Sequence, residues 1–152
     1  MRFAKQVTIQ APRQIVWDLL WDITKLASCV PGCQGAEMVD PYVRYRATVQ
    51  EKVGPFRLTV PLDIDIVEHT APRRLIARAS GRDRLLQSHV KVELALTLHE
   101  VDPQSTTLQV ETDVAVLGKL GTLGHSAIIR KGEDLVDQFA AALQAEIEKE
   151  RC

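Results

Sequence analysis

The acidic residue with the clearest chemical potential is Glu51, because it shares its register with apolar residues in an alternating segment. The same alternate positions carry Tyr45, Ala47 and Val49, and such positions face the interior when one side of a sheet is buried. If Glu51 faces a cavity, desolvation favours its protonated form and suits it to exchange a proton with a ligand. The alternative is that strand twist or a bulge turns Glu51 to solvent.

Two hydroxyl residues, Ser88 and Thr112, fall on inward positions of later alternating segments. A buried hydroxyl can donate a hydrogen bond to the carbonyl oxygen of a bound molecule. The more ordinary alternative is that each hydroxyl binds a nearby backbone group. The sequence leaves both interpretations open.

The residues that usually hold metals or perform nucleophilic catalysis do not form a recognisable pattern. Cys29 and Cys33 are separated by three residues, not the two of a zinc knuckle, and Pro31-Gly32 between them disfavours one helical face. No second ligand pair follows them, as a structural zinc site requires. The histidines are scattered through the chain: His69, His89, His99 and His125. We therefore predict no metal site, no catalytic residue and no cofactor, and an enzyme is the less favoured class.

A glycine-rich segment, residues 118–124, has a superficial likeness to a phosphate-binding loop but lacks the Gly-Lys-Ser/Thr ending. We predict that it is not a nucleotide site. Its glycines suggest a hinged lip over a cavity mouth, with Leu120 and Leu123 meeting either a ligand or a membrane surface. The alternative is an irregular helix start buried under the loop from Cys29 to Cys33.

The element that must position these groups is a long amphipathic helix predicted over residues 126–150. At 100° per residue one arc is apolar, and it comprises Ile128, Ile129, Leu135, Val136, Phe139, Ala140, Leu143 and Ile147. The helix has about six or seven turns and is roughly 35–40 Å long. Gly132 lies at the centre of the arc, so it provides either a close approach to a sheet or part of an internal cavity.

The rest of the chain alternates between apolar and polar residues in the way typical of antiparallel strands. Strands are predicted over 3–9, 43–53, 56–67, 75–81, 86–98 and 108–116, and short helices after Pro12 and over 23–27. The predicted fold class is α+β: a curved antiparallel sheet of about seven strands wrapped around the long C-terminal helix, with two short helices after the first strand. Small inward residues, among them Ala77, Ala79, Gly81 and Gly132, favour unfilled space between sheet and helix.

Composition limits the classes of function. The chain has 152 residues and a net charge of −1, which predicts one domain over 1–152 and gives no long-range attraction for nucleic acid. No apolar run reaches the roughly 18 residues of a membrane span. Three cysteines without an export signal favour free thiols. We expect a cytoplasmic protein.

The ordered motifs resemble those of the carbon monoxide dehydrogenase G-subunit (CoxG) family, within the START-like, Bet v 1-like (SRPBCC) helix-grip superfamily. They extend over nearly the whole chain and comprise Ala11-Pro12 with Val16-Trp17, Cys29-Val30-Pro31-Gly32-Cys33, Val53-Gly54-Pro55-Phe56, Ala79-Ser80-Gly81-Arg82-Asp83, Gly118-Lys119-Leu120 and Asp137-Gln138-Phe139. The resemblance implies a hydrophobic, quinone- or lipid-like ligand in a cavity. It also implies service to a molybdenum hydroxylase complex, with peripheral contact at the inner face of the membrane.

A carrier or accessory protein is therefore the leading interpretation. The predicted ligand-binding residues are Glu51, Phe56, Leu58, Ala79, Gly81, Val90, Val114, Leu120, Leu123, Gly132, Leu135, Val136 and Phe139. Two alternatives remain. One is a small cyclase- or dehydratase-type enzyme that uses a cavity acid such as Glu51, and the other is a purely structural partner that docks on a larger redox complex. A solid core is the alternative to a cavity.

Overall fold

The structure is a computed structural model that describes residues 1–85 and 87–151, with the backbone alone for Arg151. Its helices are α1 (Arg13–Trp21), α2 (Ile23–Cys29) and α3 (His125–Arg151), with a 3-10 turn over Lys119–Leu123. Its strands are β1 (Arg2–Ile9), β2 (Cys33–Asp40), β3 (Arg44–Val53), β4 (Phe56–Thr70), β5 (Arg74–Asp83), β6 (Ser88–Asp102) and β7 (Ser105–Leu117). Leu86, predicted to point inward from its strand, lies outside the described residues.

Within the described residues, seven strands form one sheet in the order β1-β7-β6-β5-β4-β3-β2, and every neighbouring pair is antiparallel. Consecutive strands pair through short turns, and β1 closes the far edge by pairing with β7. The concave face holds α3. The predicted α+β architecture, a curved antiparallel sheet around a long C-terminal helix, is therefore confirmed.

The alternation of apolar and polar residues did not predict strand β2. It forms the edge of the sheet beside β3, and register shifts occur between Cys33 and Gly35 and between Met38 and Asp40. Most of its side chains are exposed. An edge strand with two irregularities loses the clean alternation on which sequence-based recognition depends.

The short helices begin where the local chemistry favours it. Pro12 precedes α1, where its missing N–H needs no partner. The Asp22 carboxylate accepts a hydrogen bond of 3.2 Å from the backbone N–H of Lys25 and so caps α2. Within residues 1–85 and 87–151, no helix combines the length and the apolar composition that crossing a membrane requires.

The apolar interior is divided into two clusters. The main core joins α1, the C-terminal half of α3 and the adjoining parts of β5, β6 and β7, and its best-buried side chains include Val16, Leu98, Leu108, Leu143 and Ile147. A smaller end cluster contains Val53, Leu58, Val60 and Leu120. The space between the two clusters holds the candidate site.

Candidate functional site

A cavity of about 300 Å³ lies between the N-terminal half of α3 and the concave face of the sheet. Apolar side chains dominate its wall. The lining residues are Phe3, Val49, Glu51, Val53, Leu58, Val60, Leu62, Val90, Val92, Thr112, Val114, Val116, Leu120, Ile128, Lys131, Gly132, Leu135 and Val136. A concave, mostly apolar space with a few polar groups is the usual form of a small-molecule site.

Eight of the thirteen predicted ligand-binding residues lie on this wall, namely Glu51, Leu58, Val90, Val114, Leu120, Gly132, Leu135 and Val136. Their binding of a ligand stays a prediction. The structure adds residues that the sequence analysis did not single out, of which Lys131 is chemically the most important. The sequence contains a signal for this position, because Lys131 lies three residues after Ile128 and four before Leu135. That spacing places it on the apolar arc of the helix.

Two predicted lining residues, Phe56 and Leu123, lie behind the wall in the end cluster. The side chain of Leu123 packs over the β3–β4 turn, where a Cβ on Gly54 would approach Leu123 Cδ2 to 3.1 Å. The positive φ of 59° at Gly54 makes that turn a glycine position. Phe56 and Leu123 therefore support the wall without forming it.

The other three, Ala79, Gly81 and Phe139, are also off the wall. Ala79 is a short side chain between the larger Ile64 and Val92 on the neighbouring strands. A Cβ on Gly81 would lie 2.3 Å from the carbonyl oxygen of Pro61, so this glycine permits close approach of β4 and does not enlarge the cavity. Phe139 packs against the main core.

Glu51 faces the cavity, but it is not an isolated acid. Its Oε1 accepts a hydrogen bond of 2.7 Å from Lys131 Nζ on α3, and the two side chains are 22% and 23% exposed. A partly buried ion pair at this distance has both Coulombic and hydrogen-bond character. It ties β3 to α3 across one side of the cavity.

The loop between Cys29 and Cys33 supports this ion pair. The backbone N–H of Gln50 donates a hydrogen bond of 2.8 Å to the carbonyl oxygen of Gly32. Gly32 has a φ of 75°, and a Cβ there would lie 2.0 Å from the Gln50 oxygen and 2.9 Å from Glu51 Oε2. The segment from Cys29 to Cys33 is therefore a close-packed turn beside Glu51, and only glycine fits at position 32.

The two predicted hydroxyl residues behave differently. Ser88 is fully buried, and its Oγ accepts a hydrogen bond of 3.0 Å from the backbone N–H of Leu120, so it anchors the 3-10 turn. Thr112 is 8% exposed and lines the cavity, and its Oγ1 has no hydrogen-bond partner among the described residues. A buried hydroxyl without a partner costs about 1–3 kcal/mol. Thr112 is thus a group to which a ligand oxygen would bind favourably.

Gly132 serves both roles that the sequence left open. A Cβ at this position would lie 2.6 Å from two ring carbons of Phe3, so the glycine lets the Phe3 ring approach α3 closely. The same glycine lines the cavity. Phe3 therefore fills only part of the gap that the missing side chain leaves.

The glycine-rich segment closes one end of the cavity as a 3-10 turn between Gly118 and Gly124, which both have positive φ. Leu120 is 4% exposed and lies on the wall, and Leu123 is half-buried. The segment packs on the end cluster, which comes from β3 and β4, and not under the loop from Cys29 to Cys33. Neither leucine faces outward in this conformation.

Two cysteines, Cys29 and Cys33, lie within the described residues, and both are free thiols. Cys29 is buried in the main core, where burial raises the pKa of its thiol and keeps it neutral. The Sγ of Cys33 donates to the carbonyl oxygen of Gly35 at 3.6 Å. Among the residues that the structure describes, no three His, Cys, Asp or Glu side chains come together in a way that would hold a metal ion.

The model of the CoxG family, the G-subunit family of carbon monoxide dehydrogenase, matches residues 6–148 of the chain. The chain belongs to the CoxG family. A comparison with curated protein sequences gave no significant match.

Solved structures share the fold of this CoxG-family chain at low sequence identity. A conserved protein from Geobacillus kaustophilus has a TM-score of 0.90 at 20% identity, over 98% of this chain and 96% of that one. A START superfamily protein from Mycobacterium smegmatis has a TM-score of 0.77 at 16% identity, over 97% of both chains. The Zhui aromatase/cyclase from Streptomyces sp. R1128 has a TM-score of 0.74 at 16% identity, over 100% of this chain and 96% of that one. At these identities the likeness shows a START-like fold alone.

Proposed function

We propose that this CoxG-family protein is a non-enzymatic carrier that holds an apolar, quinone- or lipid-like molecule in the cavity beside α3. The observation that carries the proposal is a largely apolar wall around about 300 Å³, with a lining residue, Thr112, whose buried hydroxyl has no partner among the described residues. Neither feature stabilises the empty protein, because unfilled space loses packing contacts and an unpaired hydroxyl loses a hydrogen bond. A ligand would compensate for both losses.

The size of the cavity limits the ligand. A volume of about 300 Å³ is at the lower end of small-molecule sites and accommodates a ring system or a short chain. Burial of about 250 Å² of ligand apolar surface contributes roughly 6 kcal/mol, before the cost of association. We therefore expect dissociation constants in about the micromolar to millimolar range.

The polar groups favour a ligand that carries oxygen atoms on opposite sides. Thr112 belongs to β7, whereas Glu51 and its partner Lys131 lie at β3 and α3, across the width of the cavity. A hydroxyl on one side and an ammonium group on the other are both hydrogen-bond donors. This arrangement supports a quinone-like molecule over a plain hydrocarbon chain.

Membership of the CoxG family supports the second part of the proposal, which is service to a molybdenum hydroxylase of the carbon monoxide dehydrogenase type. An apolar electron carrier partitions into bilayers. A protein that brings such a molecule to an enzyme would therefore load at a membrane surface. The proposed partners are thus the ligand, the enzyme and the lipid surface.

A cyclase- or dehydratase-type enzyme is the second candidate, because Glu51 does line the cavity. The bond of 2.7 Å from Lys131 argues against it, since the carboxylate is already engaged by a cation. The variant Glu51→Gln separates the two functions. A carrier keeps its ligand with a change in affinity of about tenfold or less, whereas a general acid–base enzyme loses about 10²–10⁴-fold in turnover.

The first experiment is native mass spectrometry of the purified protein, followed by organic extraction and identification of any retained molecule. The empty protein is then titrated with 2-methyl-1,4-naphthoquinone and with lauric acid. The blocking variant is Val114→Phe, which places a ring in the cavity. The matched control is Ala115→Phe on the same strand, since Ala115 is exposed on the opposite face.

We expect one molecule of the naphthoquinone per chain, loss of binding in Val114→Phe and retention in Ala115→Phe. Binding of the fatty acid alone would change the ligand class to lipid. A protein that retains nothing and takes up neither probe contradicts the carrier function. If that protein formed a stable complex with a molybdenum hydroxylase, it would be a structural docking protein.

A further inference from the structure

One end of the molecule carries a concentration of cations that the net charge of −1 conceals. Three segments form this end: residues 52–57 at the β3–β4 turn, residues 82–85 after β5, and residues 117–131 from the end of β7 into α3. Their exposed cations are Lys52, Arg57, Arg82, Arg84, Lys119 and Arg130. Within the part of the chain that the structure describes, none of the six forms an ion pair. We call this surface the cationic end.

Acidic residues do not balance this charge. The three segments contain a single carboxylate, that of Asp83, which is 2% exposed and accepts a hydrogen bond of 2.8 Å from the backbone N–H of Thr59. Elsewhere some cations are paired, as Arg44 is with Asp65, and others, such as Arg73 and Lys91, form no ion pair among the described residues. What distinguishes this end is therefore the number of unpaired cations that its three segments bring together.

Two of the charge placements are locally unfavourable. Lys52 lies directly opposite Arg57 across the β3–β4 pair, and like charges at that spacing are destabilising. Helix α3 has no acidic residue in its first turn and carries Arg130 in its second, although the positive end of the helix dipole favours carboxylates there. Charges that oppose local stability are typical of a surface built for a partner.

Two large apolar side chains project from the same end. Leu85 is 89% exposed in the turn after β5, and Leu117, the last residue of β7, is 65% exposed. Leu117 lies in a cross-strand row with His89 and Arg82, so an apolar, an imidazole and a cationic side chain are neighbours at this end. Leu120 and Leu123, the pair that the sequence suggested for a membrane surface, are turned inward beneath them.

We infer that the cationic end docks on an anionic lipid surface, with Leu85 and Leu117 inserted into the interface and the cations bound to headgroups. Exposed leucines ringed by basic residues match the two attractions that hold a peripheral protein to a bilayer. The cavity reaches this same end, since Val53, Val116 and Leu120 belong to its wall. The purpose of docking, which is to load the ligand, rests on the proposed function. Docking itself needs no ligand, so it is measured with the empty protein.

An acidic face of another protein is the competing occupant. The lipid surface is favoured because the cations come from three separate segments and surround the projecting leucines, which is a broad arrangement without a defined groove. A bilayer accepts such an arrangement because its headgroups are mobile. Each basic residue near an anionic surface contributes about 1 kcal/mol, which is about fivefold in binding.

The test is cosedimentation of the empty full chain with vesicles of phosphatidylcholine mixed with phosphatidylglycerol, and with vesicles of phosphatidylcholine alone. Charge is tested with Arg57→Glu against Arg73→Glu, since Arg73 is exposed at the β4–β5 turn at the opposite end. Insertion is tested with Leu85→Ser. The control variant is Val101→Ser, since Val101 is 60% exposed at the opposite end of the molecule. All four positions lie on the surface, and circular dichroism checks that the fold is kept.

We expect binding to the anionic vesicles only, weakened about tenfold by Arg57→Glu and about fivefold or more by Leu85→Ser, with both control variants unchanged. Binding of the unaltered protein to the anionic vesicles should be weaker at about 1 M salt than at low salt, because salt screens the attraction between charges. Equal losses in test and control variants would overturn the inference. So would an absence of vesicle binding by a protein that still takes up the naphthoquinone, and an acidic protein face would then be the occupant.

Discussion

The two halves of α3 present the same apolar stripe to the same sheet, yet one half is packed and the other borders a cavity. In the C-terminal half, Ala140, Leu143 and Ile147 are 7%, 0% and 1% exposed within the main core. In the N-terminal half, Gly132, Leu135 and Val136 line about 300 Å³ of space. Helical periodicity therefore decides which face is buried and does not decide whether the space beneath it is filled.

Two differences in sequence account for the contrast. The packed half has a third layer, because α1 inserts Val16, Trp17, Leu19 and Leu20 into the main core. The hollow half has no such layer, and its strands present mainly valines to the cavity: Val49, Val53, Val60, Val90, Val92, Val114 and Val116. Short branched side chains suit a strand but do not reach across to the helix.

The contrast predicts the largest effect for truncation of leucines on α3. Leu143→Ala removes a side chain that is 0% exposed and should reduce the free energy of unfolding by about 3–5 kcal/mol. Leu135→Ala only enlarges an existing cavity, so we expect a loss of about 1–2 kcal/mol. Urea unfolding of both variants at neutral pH measures the difference. Equal losses would show that the N-terminal half is as well packed as the C-terminal half.

The features that the sequence predicted are the ones with a local period. Alternation identified the inward faces of β3, β4, β6 and β7, and the 3.6-residue period identified α3. The edge strand β2 was missed because its two register shifts interrupt the alternation. The ion pair of Glu51 with Lys131 joins residues 80 positions apart, and no local pattern indicates such a contact. Gly81 lies off the cavity wall, because a small inward residue allows either a cavity or a close strand, and the close approach of Pro61 shows the second here.

A pair of identical substitutions on β7 tests the free volume directly. Val110 is 2% exposed in the main core, so Val110→Phe should overpack it and cost about 1–3 kcal/mol. Val114 is four residues further on the same strand, lines the cavity and has room for a ring. Val114→Phe should leave the free energy of unfolding unchanged or raise it by about 0.5–1 kcal/mol. Destabilisation of both variants by the same amount would mean that the cavity collapses in solution.

The finest test of the contrast uses two threonines on β7, because each half of the molecule buries one. Thr106 is 0% exposed, and its hydroxyl donates a hydrogen bond of 2.8 Å to the carbonyl oxygen of Ala11. The hydroxyl of Thr112, on the cavity wall, has no partner among the described residues. Replacement by valine keeps the shape of each side chain and removes only its hydroxyl.

The two valine variants should therefore change stability in opposite directions. Thr106→Val leaves the Ala11 carbonyl without its partner and should cost about 1 kcal/mol, whereas Thr112→Val removes an unpaired buried hydroxyl and should add about 1 kcal/mol to the empty protein. Urea unfolding measures both changes in stability. Titration with the naphthoquinone measures the affinity of each variant for the ligand. If the Thr112 hydroxyl binds a ligand oxygen, the variant that is more stable when empty should bind the quinone about five- to tenfold more weakly. A more stable variant with unchanged affinity would separate the hydroxyl from ligand binding, and a less stable one would show that Thr112 already has a partner in solution.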